Sequence, residues 1–524
     1  MRRGVHMLAV APLAAVTPGR LFATSVKLAA AVFSTSLFFS GCAPDSVGAV
    51  EQRRAAGDPS ADPAYVGAAV CATCHAGEAE AWRGSHHERA MQTAAESSVL
   101  GDFSGAEFVH QGVTTSFSRQ GSRYAVTTDG PDGNLREFPV KFTFGVYPLQ
   151  QYLVELPNGK IQALGVAWDS RPAEESGGRW FHVYGDEPID HDDVLHWTRR
   201  AQNWDLMCAE CHSTGLVKRY DVAAEQFDTR WSEINVACEA CHGRGSAHVA
   251  WAKAGGRSDD GRSIVNFDER TGITWTIDAV TGNGVRSAPR PTSREIDARA
   301  PCHSRRGRIA RPERPGNAFL DAFLPALIRP PLYHADGQIR DEVYVYGSFL
   351  QSRMYQKGVT CSDCHDPHSL QLRASGSRVC LQCHEEQKYA SPTHHRHARE
   401  SAGADCLACH MPATTYMQID ARRDHSFRVP QLQLSSELGT PEPCRRCQVD
   451  KDAAWSDRAW GTRNTRSGQA DHWSVGLVRL NSGMRSDPDL PWKLVADPGT
   501  PGIVRATAVD WLARDSQSAD LFGK

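Results

Sequence analysis

Past residue 41 the chain contains no uncharged apolar run long enough to cross a bilayer, which excludes a membrane-spanning helix from the remainder. Strong charge is missing as well. The net charge is −3, and residues 1–41 hold Arg2, Arg3, Arg20 and Lys27 but no acid, so without them it becomes −7. A mildly acidic chain lacks the basic surface that nucleic acid requires. Residues 101–190 have no cysteine. Between His191 and Cys447 helical periodicity is limited and stretches such as RPERPGN recur, so this segment cannot rest on a conventional core alone. Something other than polypeptide is expected to fill its interior.

Against these absences stand 16 cysteines and 22 histidines. Cys42 stands apart near the N-terminus, and the other fifteen fall between Cys71 and Cys447, nearly all in close pairs. Six pairs read Cys-x-x-Cys-His: Cys71, Cys74, His75; Cys208, Cys211, His212; Cys238, Cys241, His242; Cys361, Cys364, His365; Cys380, Cys383, His384; and Cys406, Cys409, His410. This is the attachment pattern of c-type haem. The two thiols add to the vinyl groups as thioethers, and the adjacent histidine becomes the proximal iron ligand. Zinc sites and disulfide frameworks also use paired cysteines, but neither gives a reason for a histidine after every pair. Buried haem would supply the missing interior, so the chain without it should be largely unfolded.

The N-terminus reads as an address. Residues 1–41 have basic residues followed by LAAAVFSTSLFF, the length of a signal peptide rather than of a membrane span. FFSGC resembles the lipobox of bacterial lipoproteins, which would lipidate Cys42, although Phe39 departs from that pattern. The chain is therefore expected to be exported to the periplasm and tethered to a membrane through residues 42–64, a small polar linker. A first haem module follows at 65–100, then a β-rich insertion at 101–190 with turn signals at Gly121 and Asn158-Gly159. Residues 191–450 form the multihaem core and 451–524 a helical tail.

With His303 counted among the attachment histidines, fourteen lie outside the motifs and the leader, enough for a second axial ligand at every haem. The candidates are His86, His87, His196, His248, His334, His368, His394, His395, His397 and His425. His248 and His368 follow proximal histidines too closely to reach the opposite face of the same haem, so as ligands they should serve a neighbour. Two imidazoles per iron would suit electron transfer and leave no face for a substrate.

The stretches YVGAAVCATCHAGEAEAWRGSHHERAMQ, HWTRRAQNWDLMCAECHSTGLVKRYD, INVACEACHGRGSAHV, CSDCHDPHSL, CLACHMPATTYM and RRDHSFRVP together resemble the multihaem c-type cytochromes of the cytochrome c-554-like group. More closely, they resemble exported members with eight haem motifs and a tail of tetratricopeptide-type helical repeats. The resemblance implies a mainly α, loop-rich, haem-packed fold with a small antiparallel insertion at about 105–185. It implies electron transfer to redox partner proteins and points to His86 or His87, His196, His248, His368 and His425 as distal ligands. The group's relationship to multihaem nitrogen and sulfur enzymes adds an alternative, an oxidoreductase with one open-faced haem acting on a small nitrogen or sulfur compound.

Two motifs depart from the family pattern. Arg299 stands where the first cysteine of a fourth motif belongs, leaving Cys302 and His303 for a seventh haem with one thioether. Gln448 replaces the histidine after Cys444 and Cys447, so an eighth haem there loses its iron ligand and a disulfide or free thiols become the alternative. The tail resembles only the first helices of the repeat region. Arg305, Arg306, Arg308, Arg311 and Arg314 are expected to pair with haem propionates, or else to bind an anionic substrate.

Overall fold

Nine strands occupy the cysteine-free stretch and the residues just before it. In the computed structural model, which describes residues 63–256, 264–312, 314–460, 473–483 and 487–514, they are β1 (Met91–Thr93), β2 (Ser104–His110), β3 (Val113–Gln120), β4 (Arg123–Asp129), β5 (Leu135–Phe144), β6 (Leu149–Glu155), β7 (Ile161–Ala163), β8 (Val166–Asp169) and β9 (Arg179–His182). They form one antiparallel sheet in the order β2-β3-β4-β5-β6-β8-β9, with β1 on β5 and β7 on β6. Its ends β2 and β9 approach each other, so the sheet curls into a nearly closed barrel. Hairpin β3–β4 turns on Gly121 and Ser122, where Gly121 takes φ +60°.

The expected mainly α architecture is therefore corrected: helix accounts for 31% and strand for 21%. The reason is local. Each attachment motif occupies only a turn or two, as in Ala68–Ala72, Ala209–His212, Cys238–His242, Cys361–Cys364 and Cys406–His410. Seven strands of a continuous sheet outweigh these motif turns, and the small antiparallel insertion expected at about 105–185 is a nearly closed barrel.

Side chains alternate across the strands, and both faces of the central ones are used. Phe117, Tyr124, Val126, Tyr152, Val154 and Trp180 fill one side. Phe117 and Trp180 stack with centroids 3.5 Å apart. A side chain at Gly101 would collide with Tyr152 and Trp180, so this close approach demands glycine. On the other side Met91, Phe142, Leu153 and Ile161 pack against Trp204 and Ala209. Ala209 belongs to the second attachment motif, so the barrel's outer face is the wall that positions it.

The N-terminal segment is tied down through one buried carboxylate. Glu239 accepts hydrogen bonds from the backbone N–H groups of Val66, Gly67 and Gly245 at 2.7–3.0 Å. The tail contributes helices Trp473–Asn481, Leu490–Ala496 and Gly502–Arg514. Leu477, Ile503 and Val504 pack on Ile328 and Tyr333, which fixes the tail to the chain before it. Among the described residues no helix is long and apolar enough to cross a membrane. Residues 1–62, with the leader, Cys42 and nearly all of the linker, lie outside the described part.

Candidate haem-binding cavity

A cysteine, the residue three further on and the residue after that share one face of a helical turn. The motifs use this geometry. The His75 and His384 N–H groups donate to the carbonyls of Cys71 and Cys380 at 3.0 Å, and that of His365 to Cys361 at 2.9 Å. Each turn thus presents two thiols and an imidazole together.

These faces converge on one cavity of about 4160 Å³, several times the roughly 300–1,000 Å³ of an ordinary small-molecule pocket. Residues from all six intact motifs line it, as do Cys302 and His303. The sites adjoin one another: the thiols of Cys71 and Cys238, of Cys211 and Cys302, and of Cys380 and Cys406 lie close enough to act on each other's ionisation. No disulfide forms among the described residues. Thiols, imidazoles and a large apolar interior are the donor set covalently attached haem requires, and the residues present fit it.

The imidazoles are oriented by their second nitrogen. Nδ1 of His242 lies 3.1 Å from the Val265 carbonyl, that of His410 2.6 Å from Arg428, that of His425 2.9 Å from Arg423, and that of His212 3.3 Å from Ala90. Nδ1 of His384 lies 3.0 Å from Asn283 Oδ1. Such contacts fix the tautomer and leave Nε2 for a metal. Burial pushes His212 and His303 down to about 4, and burial followed by the Arg299 charge does the same to His87. Neutral rings are the form that ligates iron.

Two imidazoles binding one metal from opposite sides have centroids about 6.2 Å apart, twice the sum of a ~2.0 Å His–metal bond and the ~1.1 Å from nitrogen to ring centre. Three pairs that include a motif histidine stand at this spacing: His75 and His248 at 6.3 Å, His87 and His303 at 6.3 Å, and His394 and His410 at 6.1 Å; His395 and His397, neither of them in a motif, lie 6.4 Å apart. Each of the three joins a motif histidine to one from another stretch of chain. His368 is close enough for its charge to act on His242, and His365 does the same to His425. His248 thus faces the first motif rather than its own, and His368 neighbours the third.

Other candidates are placed elsewhere. His196 is buried beside the barrel, with Nε2 3.1 Å from Asp129 Oδ2 and Nδ1 2.8 Å from Thr198 Oγ1, which leaves neither nitrogen for iron. His86 lines the cavity beside Tyr147, whereas His334, His395 and His397 do not line it. Among the described residues His212, His242, His365 and His384 have no imidazole at pair spacing: the rings of His212 and His384 meet Phe144 at 4.4 Å and Tyr389 at 5.4 Å, while His242 and His365 have His368 and His425 only near enough for charge to act. Cys208 and Cys409 belong to motifs that reach the cavity but are not themselves on its wall. Cys444, Cys447 and Gln448 also lie off it, and burial and Glu442 push the Cys444 thiol up to about 12.

The arginine run also differs from expectation. Arg306 and Arg308 pair with Glu210, Arg305 pairs with Asp341 at 3.3 Å, and Arg306 lies over the Phe323 ring at 4.2 Å. Protein carboxylates already hold these three. The cations on the cavity wall include Arg270 and Arg290, which stand apart in the sequence, and Arg422 and Arg428, which lie within RRDHSFRVP. Phe144 was missed because it ends strand β5 and reaches His212 only through the sheet.

Comparison with known proteins agrees with the motif chemistry. The family model for cytochrome c554 and c-prime matches residues 70–107 and 190–243, and that for the doubled CXXCH motif matches 354–389. The dissimilatory sulfite reductase MccA of Wolinella succinogenes is 24% identical over 165 residues, which is 26% of this chain and 21% of that protein. The match therefore spans about a fifth of that relative's length. Among solved structures, the outer cell wall cytochrome OcwA aligns with TM-score 0.47 and 15% identity over 87% of this chain and 99% of that one. An undecahaem cytochrome from the S-layer of Carboxydothermus ferrireducens aligns with TM-score 0.37 and 17% identity over 88% of this chain and 69% of its own.

Proposed function

Because the chain is a multihaem c-type cytochrome, we propose that it carries electrons through a series of bis-histidine sites between redox partner proteins, outside the cytoplasm. The observation that carries this is the set of three imidazole pairs, each with one motif histidine, at 6.1–6.3 Å. Haem supplies one-electron chemistry when bound. The protein's own part is to hold paired neutral imidazoles, to keep neighbouring sites in contact through Cys71–Cys238, Cys211–Cys302 and Cys380–Cys406, and to screen the interior from water. Contact between sites is what conduction needs, and double ligation suppresses competing chemistry at the iron.

Seven sites are the number this geometry supports: six from the intact motifs and one at Cys302 and His303, across from His87. Cys444 and Cys447 add none. Export and lipidation at Cys42 belong to the same proposal.

A second reading, catalysis on a small nitrogen or sulfur compound at one open face, is favoured by His212, whose ring meets Phe144 instead of an imidazole. The partial match to a dissimilatory sulfite reductase points the same way. Intact mass together with carbon monoxide titration of the reduced holoprotein tests both. The conduction reading expects seven haems and at most two carbon monoxide per chain, at the His212 and His384 sites. Binding at more than two would overturn it, and turnover of sulfite or hydroxylamine coupled to carbon monoxide-sensitive absorbance would establish the second.

A further inference from the structure

Arg299 occupies the position of the absent thioether cysteine, four residues before His303 in the helix Arg294–His303. Its side chain is 24% exposed and its Nη1 lies 2.9 Å from Glu295 Oε1. Glu295 is itself buried and accepts from Ser362 twice, from the backbone N–H and from Oγ, each at 2.7 Å. Ser362 belongs to the motif of Cys361 and His365. The guanidinium also lies near enough to the Cys361 thiol and to Cys241 for its charge to act on both. Arg299 thus stands where three attachment sites meet, on the cavity wall.

The charges of this ion pair are not equally quenched. The Glu295 carboxylate takes three donors, whereas the guanidinium, with five N–H groups, has one carboxylate and a nearby thiol. The positive end is therefore the one that faces the cavity. Reduction of an iron site adds one negative charge, so a fixed cation in a low-dielectric interior favours the reduced form. Arginine at this position acts a second time by omission. With no thiol at 299 to saturate it, one vinyl group stays conjugated and withdraws electron density, which also favours reduction.

We propose that Arg299 makes the Cys302–His303 site the highest-potential site of the chain, so that electrons collect there. The inference rests on the electron-carrier reading and on a haem being attached through Cys302. One electron leaves a neighbouring site, which is oxidised, and reduces this one; no bond or proton moves.

Spectroelectrochemical titration of the holoprotein tests it. Arg299→Gln removes the charge without restoring a thioether. Its highest-potential couple should fall by at least tenfold in its oxidised-to-reduced equilibrium, 59 mV for one electron. Arg299→Lys should keep most of the potential, and Glu295→Gln should raise it. Arg299→Cys should lower it and also move the pyridine haemochrome band toward that of the two-thioether sites. Unmoved couples in Arg299→Gln, with seven haems still attached by mass, would overturn the inference alone. Six haems on the unaltered chain would overturn the attachment at Cys302, and the inference with it, while leaving conduction through the other sites intact.

Discussion

His87 and His86 are neighbours in sequence, yet only His87 stands at pair spacing from a motif histidine, 6.3 Å from His303. The distinction follows from where the backbone turns after Trp82, not from residue type. The consequence is testable at one atom. His87→Ala should open one iron face, so that the reduced variant binds one more carbon monoxide per chain than the parent, with the haem count unchanged by mass. An unchanged stoichiometry would mean that His303 has a different partner. The attachment residues themselves were legible because their chemistry is local: two thiols and an imidazole on a single turn. The distal candidates could be named, His87 and His248 among them, but not the motif each one meets, because that motif lies on another segment. His196 shows the limit. It sits close to the second motif in sequence, but Asp129 of the barrel and Thr198, two residues further along its own loop, engage both its nitrogens.

At the scale of elements the barrel is the feature that the sequence understated. Alternation in β3 and β4 and the turn at Gly121 marked individual hairpins. Closure was not marked, because it depends on β2 meeting β9, some 70 residues apart in the chain. Within the barrel His110 and His182 stack with centroids 4.0 Å apart and planes within 10°. Burial, and next the His110 charge, push His182 down to about 4. The unfolded chain binds a proton here near pH 6.5 and the folded barrel does not, so stability is lost as pH falls from about 6.5 toward 4. The groups around it pull both ways: His110 and His196 oppose protonation and Asp129 favours it. Allowing for the ring's partial exposure, the barrel should lose about 1 kcal/mol between pH 7 and pH 5 from this group. Urea unfolding followed by hydrogen exchange in β3 and β4 measures it, and His182→Phe should flatten the dependence.

For the whole molecule, two kinds of interior coexist. The barrel is filled by its own side chains, with Phe117, Val126, Tyr152 and Val154 fully buried. The remainder encloses about 4160 Å³ lined by cysteine and histidine, and a polypeptide cannot hold such a space open against the hydrophobic effect without something in it. The two parts should therefore respond differently when haem attachment is prevented. In a host lacking cytochrome c maturation, amides of β3 to β6 should remain protected from exchange, because their contacts are protein to protein. Amides of the motif segments, such as Cys238–His242 and Cys406–His410, should exchange as an unfolded chain does. Barrel protection lost together with the motif segments would show that the barrel depends on the cofactor through Trp204 and Ala209, which pack the second motif onto its outer face. Protection retained in the motif segments would show that the cavity holds its shape through protein contacts alone.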